Sequence, residues 1–205
     1  MRFFLALLIV FTVAVAPFPT GRSLSLPAPE QLDYRAKVLG YSREEFGPGW
    51  AHVDGECSTR DVAMAAAFAA PSCADLPGDA QIPPITDPYT GEPLRPGDVE
   101  LDHLVPLAAA WDLGAHAWPP QRRVEFANDP RNLVVTSAAA NRAKSDQLPS
   151  EWMPPNWRAR CAYARQLVAV ADTYDLAMPV ADMRASRHAC SGISGLIGRN
   201  HLADG

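Results

Sequence analysis

The chain of 205 residues lacks most of the features that mark specialised protein classes. It has only four cysteines, no two of them spaced as C-x-x-C, which argues against a four-cysteine zinc site. It has no internal repeat, and no G-x-S-x-G elbow of the kind that carries the nucleophile of many serine hydrolases. With 48% hydrophobic residues and a formal net charge of −5, its composition is that of one globular domain.

Long apolar runs are also missing, apart from one at the start of the chain. There Arg2 precedes the apolar run Phe3–Ala16, and small residues follow, which is the layout of a secretory signal peptide. The run is shorter than the roughly 20 residues of a membrane span. We predict a secreted or extracytoplasmic protein with a leader over residues 1–26 and no stable membrane association after export. Pro17 hinders cleavage after Ala16, and an uncleaved leader would remain as an N-terminal membrane anchor.

If the protein is exported, its four cysteines are expected to form disulfides, because an even number of cysteines in an oxidising compartment predicts disulfide pairing. Four cysteines allow three pairings. Of these, Cys57–Cys73 and Cys161–Cys190 are favoured, since each pair brackets one compact segment of the chain. The domain is then expected over residues 27–190, and the Gly-rich residues 191–205 are expected to form a flexible tail.

The middle of the chain predicts strands that alternate with helices. Residues 99–105 and 132–137 are apolar and predict two strands, and residues 137–147 predict a helix that Ser137 caps. Two short helices are expected between the strands, broken at Gly114 and at the pair Pro119-Pro120.

Further helices are expected on both sides of this middle part. One lies over residues 30–40, one begins at Ser58 or Thr59 and ends at Pro71, a long one starts near Asn156, and a shorter one follows Pro179. The sequence DPYTG predicts a hairpin turn with its glycine at a positive φ. The expected fold class is α+β and mainly helical.

Asp102 and His103 stand side by side in the first predicted strand. Neighbouring side chains of a strand point to opposite faces, so at least one of the two must face solvent, a ligand or a polar pocket. Asn141 and Lys144 share one face of the predicted helix, which would cover the hairpin. Carboxylate and amide oxygens suit Mg²⁺, and histidine is a base near neutral pH.

These stretches resemble the motifs of the HNH, or ββα-metal, nucleases. LDHLVP, NDPRNLVVT and NRAKSDQLPSEW occur in the order of that family. The wider pattern of CSTRD, DPYTGE, DHLVPLAAAW and EWMPPNWRARC is similar to small exported bacterial HNH proteins, and it extends from Tyr41 to Cys190. The resemblance implies a ββα-metal core of hairpin plus helix inside a disulfide-stapled, mainly helical domain.

The resemblance also implies roles for single residues. His103 is expected to be the general base that deprotonates the attacking water, and Asn132 to orient the loop that carries it. Asp102 and Asn141 are expected to hold one divalent ion, Mg²⁺ or Mn²⁺. Phosphate binding is expected from three basic side chains: Arg60, Arg142 and Lys144. An ordinary turn asparagine is the alternative for Asn132, and a solvated salt bridge is the alternative for Arg60 and Lys144.

The distribution of charge favours a polyanionic ligand. Eight basic and four acidic residues lie between Gln121 and Arg165, although the whole chain is acidic. We therefore expect a monomeric, metal-dependent endonuclease that hydrolyses DNA, with RNA left open as a substrate, at low sequence specificity. The alternative is a disulfide-stapled extracellular binding module that keeps the fold without turnover. The intact Asp-His pair and both asparagines count against it.

Overall fold

The computed structural model describes residues 26–74 and 83–191, so nearly all of the expected leader and tail lie outside the described residues. This part of the chain is α+β, with helices and four two-stranded sheets. Its α-helices are α1 Thr59–Ala67, α2 Leu107–Asp112, α3 Pro120–Asn128, α4 Ala138–Lys144, α5 Arg160–Thr173 and α6 Val180–Ala189. Its strands are β1 Gln31–Leu32, β2 His52–Asp54, β3 Cys57–Ser58, β4 Ile85–Thr86, β5 Pro93–Leu94, β6 Val99–His103, β7 Leu133–Ser137 and β8 Met178–Pro179.

The hairpin of β6 and β7 and the helix α4 form the centre of the fold. The two strands are antiparallel, with Val99 opposite Ser137 and His103 opposite Leu133. The Ser137 side chain accepts a hydrogen bond from the Ala140 amide, and this cap starts α4 directly after β7. The helix contacts both strands. The predicted order of strand, two short helices, strand and helix is confirmed.

Both faces of the hairpin are buried, which explains its nearly continuous apolar sequence. On one face Leu101 and Val135 pack against Met64 of α1. On the other face Val134 joins the larger core, which includes residues of α2, α3 and α5, such as Leu167. The hairpin therefore lies between two apolar layers, and polar side chains on it must find partners of their own.

Two disulfides close the ends of helices. Cys57 bonds to Cys73 around α1, and Cys161 at the start of α5 bonds to Cys190 just after α6. This is the favoured pairing, and it is confirmed. Ser58 caps α1 through a reciprocal pair of bonds with Asp61, as the sequence predicted for its start.

The helix predicted over residues 30–40 is wrong. Gln31 and Leu32 instead form a parallel strand beside Met178 and Pro179, and residues 33–40 form no helix. The Val38 amide donates to the Asp112 carboxylate, so the backbone of this segment is satisfied by distant partners rather than by a helix of its own.

The long helix α5 begins at Arg160, four residues later than expected from Asn156. In the part of the chain that the structure covers, no helix is long and apolar enough to cross a membrane.

Candidate active site

A cavity of about 490 Å³ opens beside the end of β6. Its wall contains four of the residues singled out from the sequence, which are Arg60, Asp102, His103 and Asn141. The fold thus brings together side chains from α1, β6 and α4 that are far apart in the sequence.

The hydrogen bond of His103 defines which ring nitrogen can accept a proton. Its side chain is 6% exposed, and Nε2 lies 2.8 Å from the carbonyl oxygen of Ala127. A carbonyl oxygen only accepts, so Nε2 carries the hydrogen and Nδ1 of the neutral ring is left unprotonated. The indole of Trp50 stacks on the ring at 5.3 Å between centroids and 18° between planes. His103 is therefore held in one orientation and one tautomer.

The protonation state of His103 follows from its surroundings. Burial lowers the pKa of His103 to about 3, against a smaller opposing effect of the Ala127 hydrogen bond. The positive charges of Arg43 and Lys144 contribute to this lowering. The imidazole is therefore neutral at pH 7 and has a lone pair available on Nδ1.

Asp102 is buried on the opposite side of the strand and is bound by two side chains. The Tyr89 hydroxyl donates to its Oδ2 at 2.7 Å, and Lys144 Nζ lies 3.0 Å from Oδ1 and 2.9 Å from Oδ2. Lys144 has no exposed side-chain surface and also donates to the backbone oxygen of His103 at 2.7 Å. Burial raises the pKa of Asp102 while the Lys144 charge lowers it, and burial likewise lowers the pKa of Lys144 against the Asp102 charge.

Glu100 orients the amide of Asn141. The Nδ2 group of Asn141 donates to Glu100 Oε2 at 2.8 Å. A carboxylate only accepts, so this bond leaves Oδ1 of Asn141 as the free oxygen of the amide. Glu100 and Asp102 are two positions apart on β6 and therefore share a face of the strand.

Asn132 lies behind the cavity and is fully buried. Its Oδ1 accepts from the Val105 amide at 2.9 Å, and its own backbone oxygen accepts from the Leu104 amide at 2.9 Å. These bonds hold the turn that directly follows His103. A role of Asn132 in orienting this loop remains a prediction that its contacts support.

The three basic residues predicted to bind phosphate differ in their exposure and in whether they line the cavity. Arg60 lines the cavity. Arg142 is exposed, with Nη1 3.5 Å from Glu100 Oε1. Lys144 is buried on Asp102, so a contact with phosphate would require it to leave that carboxylate. The phosphate-binding role of each remains a prediction.

Part of the positive charge between residues 121 and 165 is paired with acidic side chains. Three arginines of this stretch form ion pairs of 2.6 to 2.9 Å: Arg122 with Asp175, Arg123 with Glu45 and Arg131 with Asp129. The local excess of positive charge that the sequence suggested is therefore not the source of positive charge at the cavity.

Sequence reasoning missed four residues at this site, namely Arg43, Trp50, Tyr89 and Glu100. Tyr89 belongs to DPYTG, which predicted a hairpin turn, and Gly91 has the expected positive φ of 79°. Glu100 was detectable from its position two residues before Asp102. No local pattern indicated that the segment with Arg43 and Trp50 folds against β6.

A divalent ion is compatible with the donor atoms at the cavity. The Asn141 amide presents Oδ1, and the Asp102 carboxylate has about four lone-pair positions, of which three accept from Tyr89 and Lys144. Among the described residues no group of three or more His, Cys, Asp and Glu side chains is arranged to hold a metal ion. The set predicted from the sequence contains one carboxylate and one amide, and these hard oxygen donors fit Mg²⁺ or Mn²⁺.

Comparison with known proteins gives two matches. Residues 78–181 match the family described as GmrSD restriction endonucleases, C-terminal domain, and this range contains Asp102, His103, Asn132, Asn141 and Lys144. An uncharacterized secreted protein of Arthroderma benhamiae is 33% identical in an alignment of 198 residues that covers 89% of this chain and 94% of that protein. Its description agrees with the export predicted from the leader. No solved structure matches. The family match covers half of the chain and its whole central hairpin, and the chain therefore belongs to the family of GmrSD restriction endonuclease C-terminal domains.

Proposed function

We propose that the chain is an exported, metal-dependent endonuclease that hydrolyses DNA phosphodiester bonds with low sequence specificity. One observation carries the proposal. His103, whose neutral ring leaves Nδ1 unprotonated, lines a cavity whose wall also contains Asp102 and Asn141. We also infer that β6, β7 and α4 form the ββα unit of an HNH nuclease, with the Asp-His pair at the end of its first strand.

In this proposal His103 acts as the general base. Nδ1 accepts a proton from the water that attacks phosphorus, and the imidazolium is stabilised by the hydrogen bond from Nε2 to Ala127. Trp50 and the Ala127 bond keep the ring in place. Lys144 and Asn132 fix the backbone directly after it, the first at the His103 oxygen and the second at the Val105 amide.

Asp102 and Asn141 would hold one divalent ion. When bound, that ion supplies positive charge to the phosphate and to the leaving 3′ oxygen. Lys144 keeps Asp102 ionised by ion pairing, and Glu100 keeps Oδ1 of Asn141 pointed away from itself. Monomeric action is part of the proposal, and RNA remains open as a second substrate. The name of the Arthroderma protein supports action outside the cytoplasm.

Plasmid cleavage tests this proposal. Purified mature protein should nick supercoiled DNA in Mg²⁺ or Mn²⁺ and not in chelator. Asn141→Ala should lose this activity and weaken Mn²⁺ binding in a direct titration, because it removes the oriented amide oxygen. Gln147→Ala, just beyond the same helix, is the matched control and should keep both.

Each other outcome contradicts a defined part of the proposal. DNA binding without cleavage in any divalent ion would contradict catalysis and favour the binding-module alternative. Full activity in chelator would contradict the role of the metal. Unchanged Mn²⁺ affinity of Asn141→Ala would remove Asn141 from the metal site.

A further inference from the structure

Every acidic side chain that lines the cavity has a partner within the protein. Asp102 pairs with Lys144, as described above. Asp146 pairs with Arg35 at 2.8 Å and Lys37 at 2.9 Å. Glu100, the third acid, accepts from Asn141 and lies 3.5 Å from Arg142. The negative charge of the cavity wall is therefore compensated by neighbouring groups.

Two cavity-lining arginines differ from these acids because they form no ion pair within the described residues. Arg43 and Arg60 form no ion pair and no side-chain hydrogen bond with any residue of 26–74 or 83–191. Asp61, next to Arg60, is used by the capping bonds with Ser58. The cavity wall thus carries two unpaired guanidinium groups beside His103, and an anion is the ligand that such groups favour.

Arg43 lies between two neighbouring cavities. It lines the main cavity and also a second cavity of about 170 Å³, and Trp50 and His103 line both. The second cavity is otherwise formed largely by the backbone turn from Phe46 to Gly49. The two cavities therefore lie side by side along His103, and Arg43 forms part of the wall of each.

Both arginines lie before residue 78, where the match to the family begins. The residues expected to do the chemistry all lie inside the match, whereas the unpaired positive charges come from the preceding segment. The segment between Tyr41 and Arg60 lies outside the matched range and forms one wall of the cavity.

We propose that Arg43 and Arg60 bind the phosphodiester backbone of the nucleic-acid strand on either side of the bond that faces His103. Arg43 is new as a site residue, and its place in the walls of both cavities assigns it a phosphate next to the scissile one. A guanidinium can donate two parallel hydrogen bonds to a phosphate, and a phosphate contact carries no sequence information, so this contact fits binding without sequence specificity. The inference rests on the proposed function, since it takes a nucleic acid as the ligand.

The salt dependence of DNA binding tests whether Arg43 and Arg60 contact phosphates. A fluorescently labelled oligonucleotide is titrated with protein in chelator, where cleavage is not expected, over a series of salt concentrations. Each phosphate contact that is lost should reduce the slope of log K against log salt by about 1. Arg43→Gln and Arg60→Gln should each show this reduction, and Arg43→Lys should restore most of the slope because the charge is kept.

Arg187→Gln is the matched control, because it removes the same charge from α6, outside both cavities. It should leave the slope unchanged. A slope for Arg43→Gln equal to that of Arg187→Gln would overturn the inference, even if the wild-type protein cleaves plasmid. A reduced slope without any cleavage by the wild type would instead support the phosphate contact and contradict the proposed catalysis. No DNA binding at any salt concentration would overturn both.

Discussion

Lys144→Met isolates the buried ion pair that supports the site. The substitution keeps the length of the side chain and removes its charge, leaving Asp102 without its cation in a position where 6% of its side chain is exposed. Removing one partner of a buried pair costs about 3–5 kcal/mol, because the other charge remains buried. Such a loss is a large part of the total stability of about 5–15 kcal/mol that a protein has. For a chain of this size it lowers Tm by roughly 6–20 °C.

Urea unfolding followed by tryptophan fluorescence measures this effect. Arg142→Met on the same helix is the control, since its side chain is 70% exposed and should change the free energy of unfolding by no more than about 0.5 kcal/mol. Adding Asp102→Asn to Lys144→Met should recover part of the loss, because the uncompensated charge is then gone. Equal free energies of unfolding for Lys144→Met and Arg142→Met would refute the buried pair.

Three further predictions concern stability and the loop after His103. Burial raises the pKa of Asp87, but hydrogen bonds from Thr136, Tyr89 and Ser137 lower it more. The pKa of Asp87 is therefore below its usual value. Asp87→Asn should therefore be less stable at pH 7, and its deficit against the wild type in thermal melts should shrink as pH falls below about 4 and through the folded pKa. Removing the disulfide that spans 29 residues, with serine at Cys161 and Cys190, should lower the free energy of unfolding by roughly 3–4 kcal/mol in non-reducing urea titrations. Asn132→Ala should lower the free energy of unfolding by about 1–3 kcal/mol and should lower kcat, because it leaves the buried Val105 amide unpaired. Asn132→Asp should recover part of both losses. An unchanged kcat in Asn132→Ala would contradict the positioning role.

The central part of the fold was predictable because its signals are local. Two apolar runs define β6 and β7, the Ser137 cap lies directly between β7 and α4, and the cysteine spacing favoured the observed disulfides. Asp102 and His103 were expected on opposite faces, and the strand places them so. Both are buried, however, because each side of the hairpin has its own polar partners, Tyr89 and Lys144 on one and Ala127 on the other.

The remaining features depend on contacts that no local pattern encodes. Residues 31 and 32 pair with residues 178 and 179 at the other end of the domain, so helical propensity near Tyr34 was overridden by distant partners. The helix spacing correctly predicted that Lys144 faces the hairpin. It did not predict that the Lys144 ammonium would be buried in an ion pair with Asp102. No local sequence pattern predicts that the segment with Arg43 folds beside the end of β6.

The turnover of His103→Ala tests the central claim most directly. The imidazole accepts a proton and contributes one hydrogen bond and one stacking contact, so its removal should lower kcat for plasmid nicking in Mg²⁺ by about 10²- to 10⁴-fold. Circular dichroism and oligonucleotide binding should stay close to those of the wild type. A folded His103→Ala protein that nicks plasmid at the wild-type rate would show that His103 is not the base and that the cavity is not the catalytic site.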